Sequence, residues 1–135
     1  FQTEDIESKT TVSVLDFTKY SSKGFLITPE PYNGEYKTLG IVNSSIESGA
    51  HLEEYTKEDP ETGETIKTKK WVAEPVDIYS LLDAVYQKAA SIGGDAIMNF
   101  RYQISSTTMM VPYEPNYLYL DKILIQGVVI DRLEE

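Results

Sequence analysis

The sequence predicts an α+β fold, in which one main helix packs on a small, mostly antiparallel sheet that carries an inserted, charged β-hairpin. Three observations lead to it. Residues 76–92 place apolar side chains at helical spacing and stop at Gly93-Gly94-Asp95. Residues 96–104 and 117–130 alternate at strand spacing. Residues 51–71 switch abruptly to Glu, Lys and Thr around the turn signal Asp59-Pro60-Glu61-Thr62-Gly63-Glu64.

At 135 residues the chain fits one domain and can bury roughly two-thirds of its unfolded surface. Its organisation reads as a tether over residues 1–10 and a single domain over 11–135, with 51–74 as the inserted hairpin. The absence of cysteine excludes disulfides, thiolate metal sites and cysteine nucleophiles. A net charge of −10 makes this an acidic protein that repels a phosphate backbone, and Lys67, Lys69 and Lys70 are too few to form a basic stripe, so no nucleic-acid partner is expected. No apolar run approaches the roughly 20 residues of a spanning helix, so the chain itself is not expected to insert into a membrane.

The polar first ten residues suit a solvated tether. They lead to the expectation of an exported protein of the cell envelope or periplasm, lipid-anchored through a removed N-terminal segment. Val12, Val14, Leu15 and Phe17, and then Phe25-Leu26-Ile27, read as strands or packed arms. Residues 28–34 hold two prolines and a glycine and form an irregular connection. Residues 36–42 read as a strand and residues 43–50 as a serine- and glycine-rich loop. In the hairpin, Thr at strand spacing favours extended structure, and Trp71 at its base is expected to anchor it on the core.

Pro75 suits the first turn of the helix, and Asp77 complements its dipole. Ile78, Leu81, Leu82, Val85, Ala89 and Ile92 then share one buried face. Gly93 or Gly94 can adopt the left-handed conformation that ends a helix, so Gly93, Gly94 and Asp95 read as a structural hinge into the next strand. In that strand Ala96, Met98, Phe100, Tyr102 and Ile104 form the apolar face expected under the helix, and residues 105–116 read as a loop. The closing strand, residues 117–130, is apolar on both faces: Tyr117, Tyr119, Ile123, Ile125 and Val129 on one, Leu118, Leu120, Leu124, Val128 and Ile130 on the other. One helix covers one face. Either the N-terminal arm with Phe17, Phe25 and Ile27 covers the other, or a neighbouring subunit does, and a homo-oligomer is expected.

The run Gly34 to Val42, the helix ending Ala89-Ala90-Ser91-Ile92-Gly93-Gly94-Asp95-Ala96-Ile97, and a closing strand containing Gly127 together resemble the YbjQ/RcsF-like superfamily. The resemblance spans residues 34–130, and its motifs are short and hydrophobic. It implies a compact α+β domain of unknown function, sometimes assembled into rings, among relatives that include envelope lipoproteins. YbjQ relatives are described as candidate heavy-metal binders, yet no ligand set carries over to this chain.

Sites for chemistry are sparse. Ser44 or Ser45 with His51 lacks a nucleophile elbow. Glu53-Glu54 and Glu58-Asp59 lack the spaced oxygens of a calcium loop, and Gly93-Gly94 follows a helix where a phosphate loop would precede one. No catalytic residue, cofactor or metal is expected, and the chain is not expected to be an enzyme. The tyrosines offer the better site: Met109, Met110, Tyr113, Tyr117 and Tyr119, with Tyr102 near them, are the candidate interaction surface, against ordinary packing across a strand pair. Arg101 is expected to pair with an acid across the sheet. The function expected is that of a non-catalytic envelope domain acting through self-assembly or a protein partner. The alternative is a small-ligand or metal-binding module with a pocket among the tyrosines or at a subunit interface.

Overall fold

A computed structural model of the chain describes residues 6–113 and 115–133. It corrects the expected fold class, because the protein is mostly β, with 50% of residues in strands and 14% in helices. In chain order the elements are α1 (Thr18–Ser21), β1 (Leu26–Ile27), β2 (Tyr36–Glu47), β3 (Ala50–Glu58), β4 (Thr65–Ala73), α2 (Ile78–Ser91), β5 (Ala96–Met110) and β6 (Tyr117–Arg132). Four strands form a mixed sheet in the order β1-β5-β6-β2, with β1 parallel to β5 and the other pairs antiparallel; β3 and β4 form a separate two-stranded ribbon.

The correction has a physical cause. Residues 43–45 and 105–108 are polar and small, the composition of loops, yet they are strand. Their hydroxyls bond across the sheet: Ser44 Oγ donates to the Ile125 carbonyl at 3.0 Å and Ser106 Oγ to Asp121 Oδ1 at 2.7 Å. Thr107 and Thr108 are β-branched and suited to the pleat. The sheet therefore runs well beyond the helix.

The α2 face pattern arises as the spacing requires, with Leu81, Leu82, Val85 and Ala89 buried. Pro75 lies ahead of the helix rather than in its first turn. Asp77 is the N-cap, and its carboxylate accepts from the Tyr79 backbone N–H at 3.0 Å. At the other end the two glycines do different things. Gly93 sits at φ +92°, with open space where a Cβ would be, whereas a Cβ on Gly94 would strike Val129 Cγ1 and approach the Ala89 carbonyl oxygen to 2.9 Å. Asp95 is a latch: its Oδ1 accepts from the Arg132 backbone N–H at 2.9 Å and its Oδ2 from Arg132 Nε at 3.2 Å, while Arg132 Nη2 donates to the Gly24 carbonyl at 2.8 Å.

The alternation in β5 is broken by a bulge. Asn99 adopts φ 55°, and the register with β6 shifts between Met98 and Arg101, so Asn99 and Phe100 oppose the single residue Gly127. A Cβ on Gly127 would lie 2.5 Å from Ile97 Cγ2. The extra residue inverts the faces. Ile97 and Phe100 join the core under α2, whereas Ala96 and Met98, expected on that same face, pack with Ile130 on the opposite side.

Phe17, Phe25 and Ile27 join the core on the α2 side, so they do not cover the second face, contrary to one of the two sequence expectations. Lys19 and Tyr20 dock α1 on α2 through Asp83, at 3.1 and 3.3 Å. At the Ala96 end of the sheet, the second face is covered by Tyr32, packed with Leu26 and Val128 on Ala96, Met98 and Ile130. At the far end the β3–β4 ribbon takes over: β4 lies against β6, and there the second-face Leu118 is 5% exposed while its neighbour Tyr119 on the α2 face is 71% exposed. Between these covers the second face carries Asn43, Arg101, Gln103 and Gln126, with Gln126 Nε2 donating to Asn43 Oδ1 at 3.3 Å, and beside them Ile41, 81% exposed. Among the described residues no helix is long and apolar enough to cross a membrane.

Candidate functional site

The α2 face of the sheet is longer than α2. A helix of 14 residues spans about 21 Å, whereas a strand of 16 residues spans about 53 Å. The helix packs over Ile97, Phe100, Ile123, Ile125 and Val129, residues 13–15 edge Tyr102 and Ile104, and neither reaches the Met110–Tyr117 end of that face. Cross-strand pairing places Tyr102 beside Ile125, Ile104 beside Ile123, Thr108 beside Tyr119 and Met110 beside Tyr117, all on this face. Tyr102, Ile104, Met110, Tyr117 and Tyr119 are between 50% and 76% exposed and form an interrupted apolar strip. Tyr102 and Ile104 flank the first turn of α2, Met110, Tyr117 and Tyr119 lie past its end, and the hydrogen-bonded Ser106–Asp121 pair stands between the two groups.

Three of the five residues of the sequence-derived interaction surface, Met110, Tyr117 and Tyr119, therefore share one face. Met109 points to the other side of β5, paired with Leu118. Tyr113 sits in the β5–β6 turn and lines a different feature, a cleft of about 630 Å³ with Tyr55, Lys57, Lys67 and Lys69. Lys69 Nζ stands 5.8 Å from the Tyr113 ring centroid. Ile104 belongs to the strip but was not among the sequence-derived candidates; its pairing opposite Ile123 is the signal that would have found it.

A second feature escaped the sequence altogether. Between α2 and β2 runs an apolar groove of about 320 Å³, lined by Gly40, Val42, Ser44, Ala84, Lys88 and Ile92 among others, with Leu81 and Val85 in its floor. It exists because Gly40 and Ala84 leave room that larger side chains would fill. Its outer wall is the free edge of the sheet, since β2 is last in the strand order.

The residues weighed for chemistry do not converge. Ser44 is committed to Ile125. His51 is clamped at the ribbon base, with Nε2 2.8 Å from Glu53 Oε1 and Nδ1 3.1 Å from Glu74 Oε1. These hydrogen bonds, Glu53 first and then Glu74, raise its pKa above the ordinary imidazole value. The two carboxylates approach opposite ring nitrogens and share no point for an ion. Among the described residues no group of three or more His, Cys, Asp or Glu is arranged to hold a metal. Arg101 is exposed on the second face, and among the described residues it has no ion pair, contrary to expectation, because the bulge sets it opposite Gln126. Gly93, Gly94 and Asp95 act on the backbone and the Arg132 latch, away from the strip, and Gly94 packs against Ala89 and Val129, which line one end of the groove. The Trp71 indole N–H at the ribbon base is buried without an acceptor, while the residue itself is half-buried.

No family model matches the chain, and no curated protein matches it. Among solved structures it is similar to the crystal structure of a protein of unknown function from Pediococcus pentosaceus, described as belonging to the DUF74 family. The identity is 19% and the TM-score 0.41, over 82% of this chain and 99% of that one.

Proposed function

We propose that this chain is a non-catalytic domain that acts through self-association, with the strip Tyr102, Ile104, Met110, Tyr117 and Tyr119 as the face a second copy covers. The observation that supports it is the exposure of five large apolar side chains on one face, two beside the first turn of the helix and three beyond its reach. Both edges of the sheet add to it, because among the described residues β2 has no outer neighbour and β5 has only the two-residue β1. The test is sedimentation velocity at micromolar concentration on wild type and on the Met110→Ser/Tyr119→Ser variant. Association in the first and its loss in the second, with unchanged thermal unfolding, is the expected result; a wild type that stays monomeric refutes the reading.

The proposal includes export to the cell envelope, on the strength of the resemblance to envelope lipoproteins. Cell fractionation of the native protein tests that part separately, and recovery in the cytosol overturns it. A second reading rests on the cleft between the ribbon and the β5–β6 turn. There Lys57, Lys67 and Lys69 surround Tyr55 and Tyr113, a setting for a small anionic ligand with an apolar body. Amide shifts of these residues on titration with aromatic carboxylates, absent in Lys67→Glu/Lys69→Glu, are its expected signature.

A further inference from the structure

The groove between α2 and β2 combines two things a strand-binding site needs: a free row of backbone donors and acceptors along an edge strand, and an apolar trough beside it for side chains. Residues 10–15, Thr-Thr-Val-Ser-Val-Leu, are an unpaired segment of high strand propensity. Val12 and Val14 in it are 83% and 77% exposed, so in their own chain these side chains are mostly uncovered, with Val14 at the rim of a recess. The segment is held at the other side of the sheet from the groove. Leu15 lines a recess with Tyr102 and Ile104 of β5, and Tyr79 Oη both donates to the Val14 carbonyl and accepts from the Asp16 N–H, each at 3.2 Å. β5 and β2 lie on opposite sides of β6.

We propose that residues 10–15 of one copy add as an extra strand to the free edge of β2 in a second copy, seating Val12 and Val14 in the groove beneath α2. The dimensions agree. Six extended residues span about 20 Å, and the five β2 residues that line the groove, Gly40 to Ser44, span about 17 Å. Valines two apart point the same way from a strand, so both can enter one trough. The arm leaves from the β5 side and the groove lies on the β2 side, so the contact is head to tail: each copy gives an arm at one edge and takes one at the other, and the series closes into a ring or propagates. This arrangement brings the neighbour's β2 side against the donor's β5 side, beside the exposed strip. The inference rests on the self-association reading and names the contact that drives it.

The test uses two full-length variants, each changed only at exposed positions. Val12→Asp/Val14→Asp spoils the arm and keeps the groove; Ala84→Lys charges the groove and keeps the arm. Each alone should associate at least about tenfold more weakly than wild type in sedimentation velocity, with unchanged thermal unfolding. An equimolar mixture should give a heterodimer and nothing larger, since only one arm and one matching groove remain intact. A labelled peptide of residues 6–16 should bind the arm variant saturably and fail to bind it when Ala84→Lys is added. Wild-type association in both single variants, no heterodimer in the mixture, or no peptide binding overturns the arm assignment. If Met110→Ser/Tyr119→Ser abolishes association while the arm and groove variants do not, the strip reading stands and this one falls. A monomeric wild type removes both.

Discussion

Gly93 and Gly94 are adjacent, yet substituting them should cost stability for different reasons, and the two can be separated. At Gly93 a methyl group meets nothing within 4 Å, so Gly93→Ala is charged only for holding an L-residue at φ +92°. That is about 1–2 kcal/mol. Asparagine tolerates the left-handed region better, so Gly93→Asn should cost roughly half as much. At Gly94 a methyl group collides with Val129 Cγ1 on one side and the Ala89 carbonyl oxygen on the other. That oxygen is held by the Gly94 N–H itself at 2.9 Å and cannot retreat. Overpacking of this kind costs about 1–3 kcal/mol. Val129→Ala removes one of the two obstacles, so in Gly94→Ala/Val129→Ala the penalties should fall short of additive by about 1 kcal/mol. Urea denaturation followed by circular dichroism measures all five variants, with m-values expected to stay at the wild-type level. The reasoning fails if Gly93→Asn is as damaging as Gly93→Ala, or if the Gly94 and Val129 penalties simply add.

Arg132→Ala deletes donors to the Asp95 carboxylate and to the Gly24 and Asp95 carbonyls, and should lower stability by about 1–3 kcal/mol; Arg132→Lys should recover only part, since a lysine cannot reproduce the fork. The His51 clamp needs imidazolium, because only then do both ring nitrogens donate, and its folded-state pKa is raised above 6.5. Its contribution is therefore complete below about pH 6.5 and is lost as pH rises through the higher folded value; amide protection at the ribbon base, taken relative to the intrinsic base-catalysed exchange rate, should fall across that window in wild type and not in His51→Ala. Burial first, and the Asp83 carboxylate second, push the Tyr20 hydroxyl up to about 12. An ultraviolet titration should show one tyrosine ionising well after the exposed ones, a step missing in Tyr20→Phe. Since the unfolded phenol ionises near 10, stability should fall between pH 10 and 12 on this account.

How far the sequence speaks for this fold depends on whether a signal is local. The spacing of Ile78, Leu81, Leu82, Val85 and Ala89 is a local pattern, and it locates α2 to within a turn at both ends. Face assignments in β6 are equally local, since its alternation is unbroken. In β5 one bulge defeats the same logic: nothing in Met98-Asn99-Phe100-Arg101 announces it, and it is the close approach of Gly127 from another strand that makes room. The strand character of 43–45 and 105–108 is likewise invisible locally. Serines and threonines favour loops until a partner strand supplies carbonyls and carboxylates for their hydroxyls. The groove was illegible for the same reason, as Gly40 and Ala84 become a vacancy only once helix and strand are laid side by side.

The apolar excess in the closing strand looks at first like a problem of sides, with two faces and one helix. The structure turns it into a problem of length. Tyr32 and the β3–β4 ribbon cover the two ends of the second face, and polar partners occupy its middle. Apart from Ile41 and Met109 on the second face, what stays uncovered is the far end of the helix's own face, because two strands of 15 and 16 residues outrun a helix of 14. Had the chain needed only a stable core, β5 and β6 could have turned back soon after Ile104 and Ile123. They instead continue as a paired arm with Met110, Tyr117 and Tyr119 facing solvent. A two-stranded ribbon with one bare apolar face is marginally stable by itself. The ribbon β3–β4 packed against its back holds this one in shape, and it does so from the second face, leaving the apolar strip open to a neighbour.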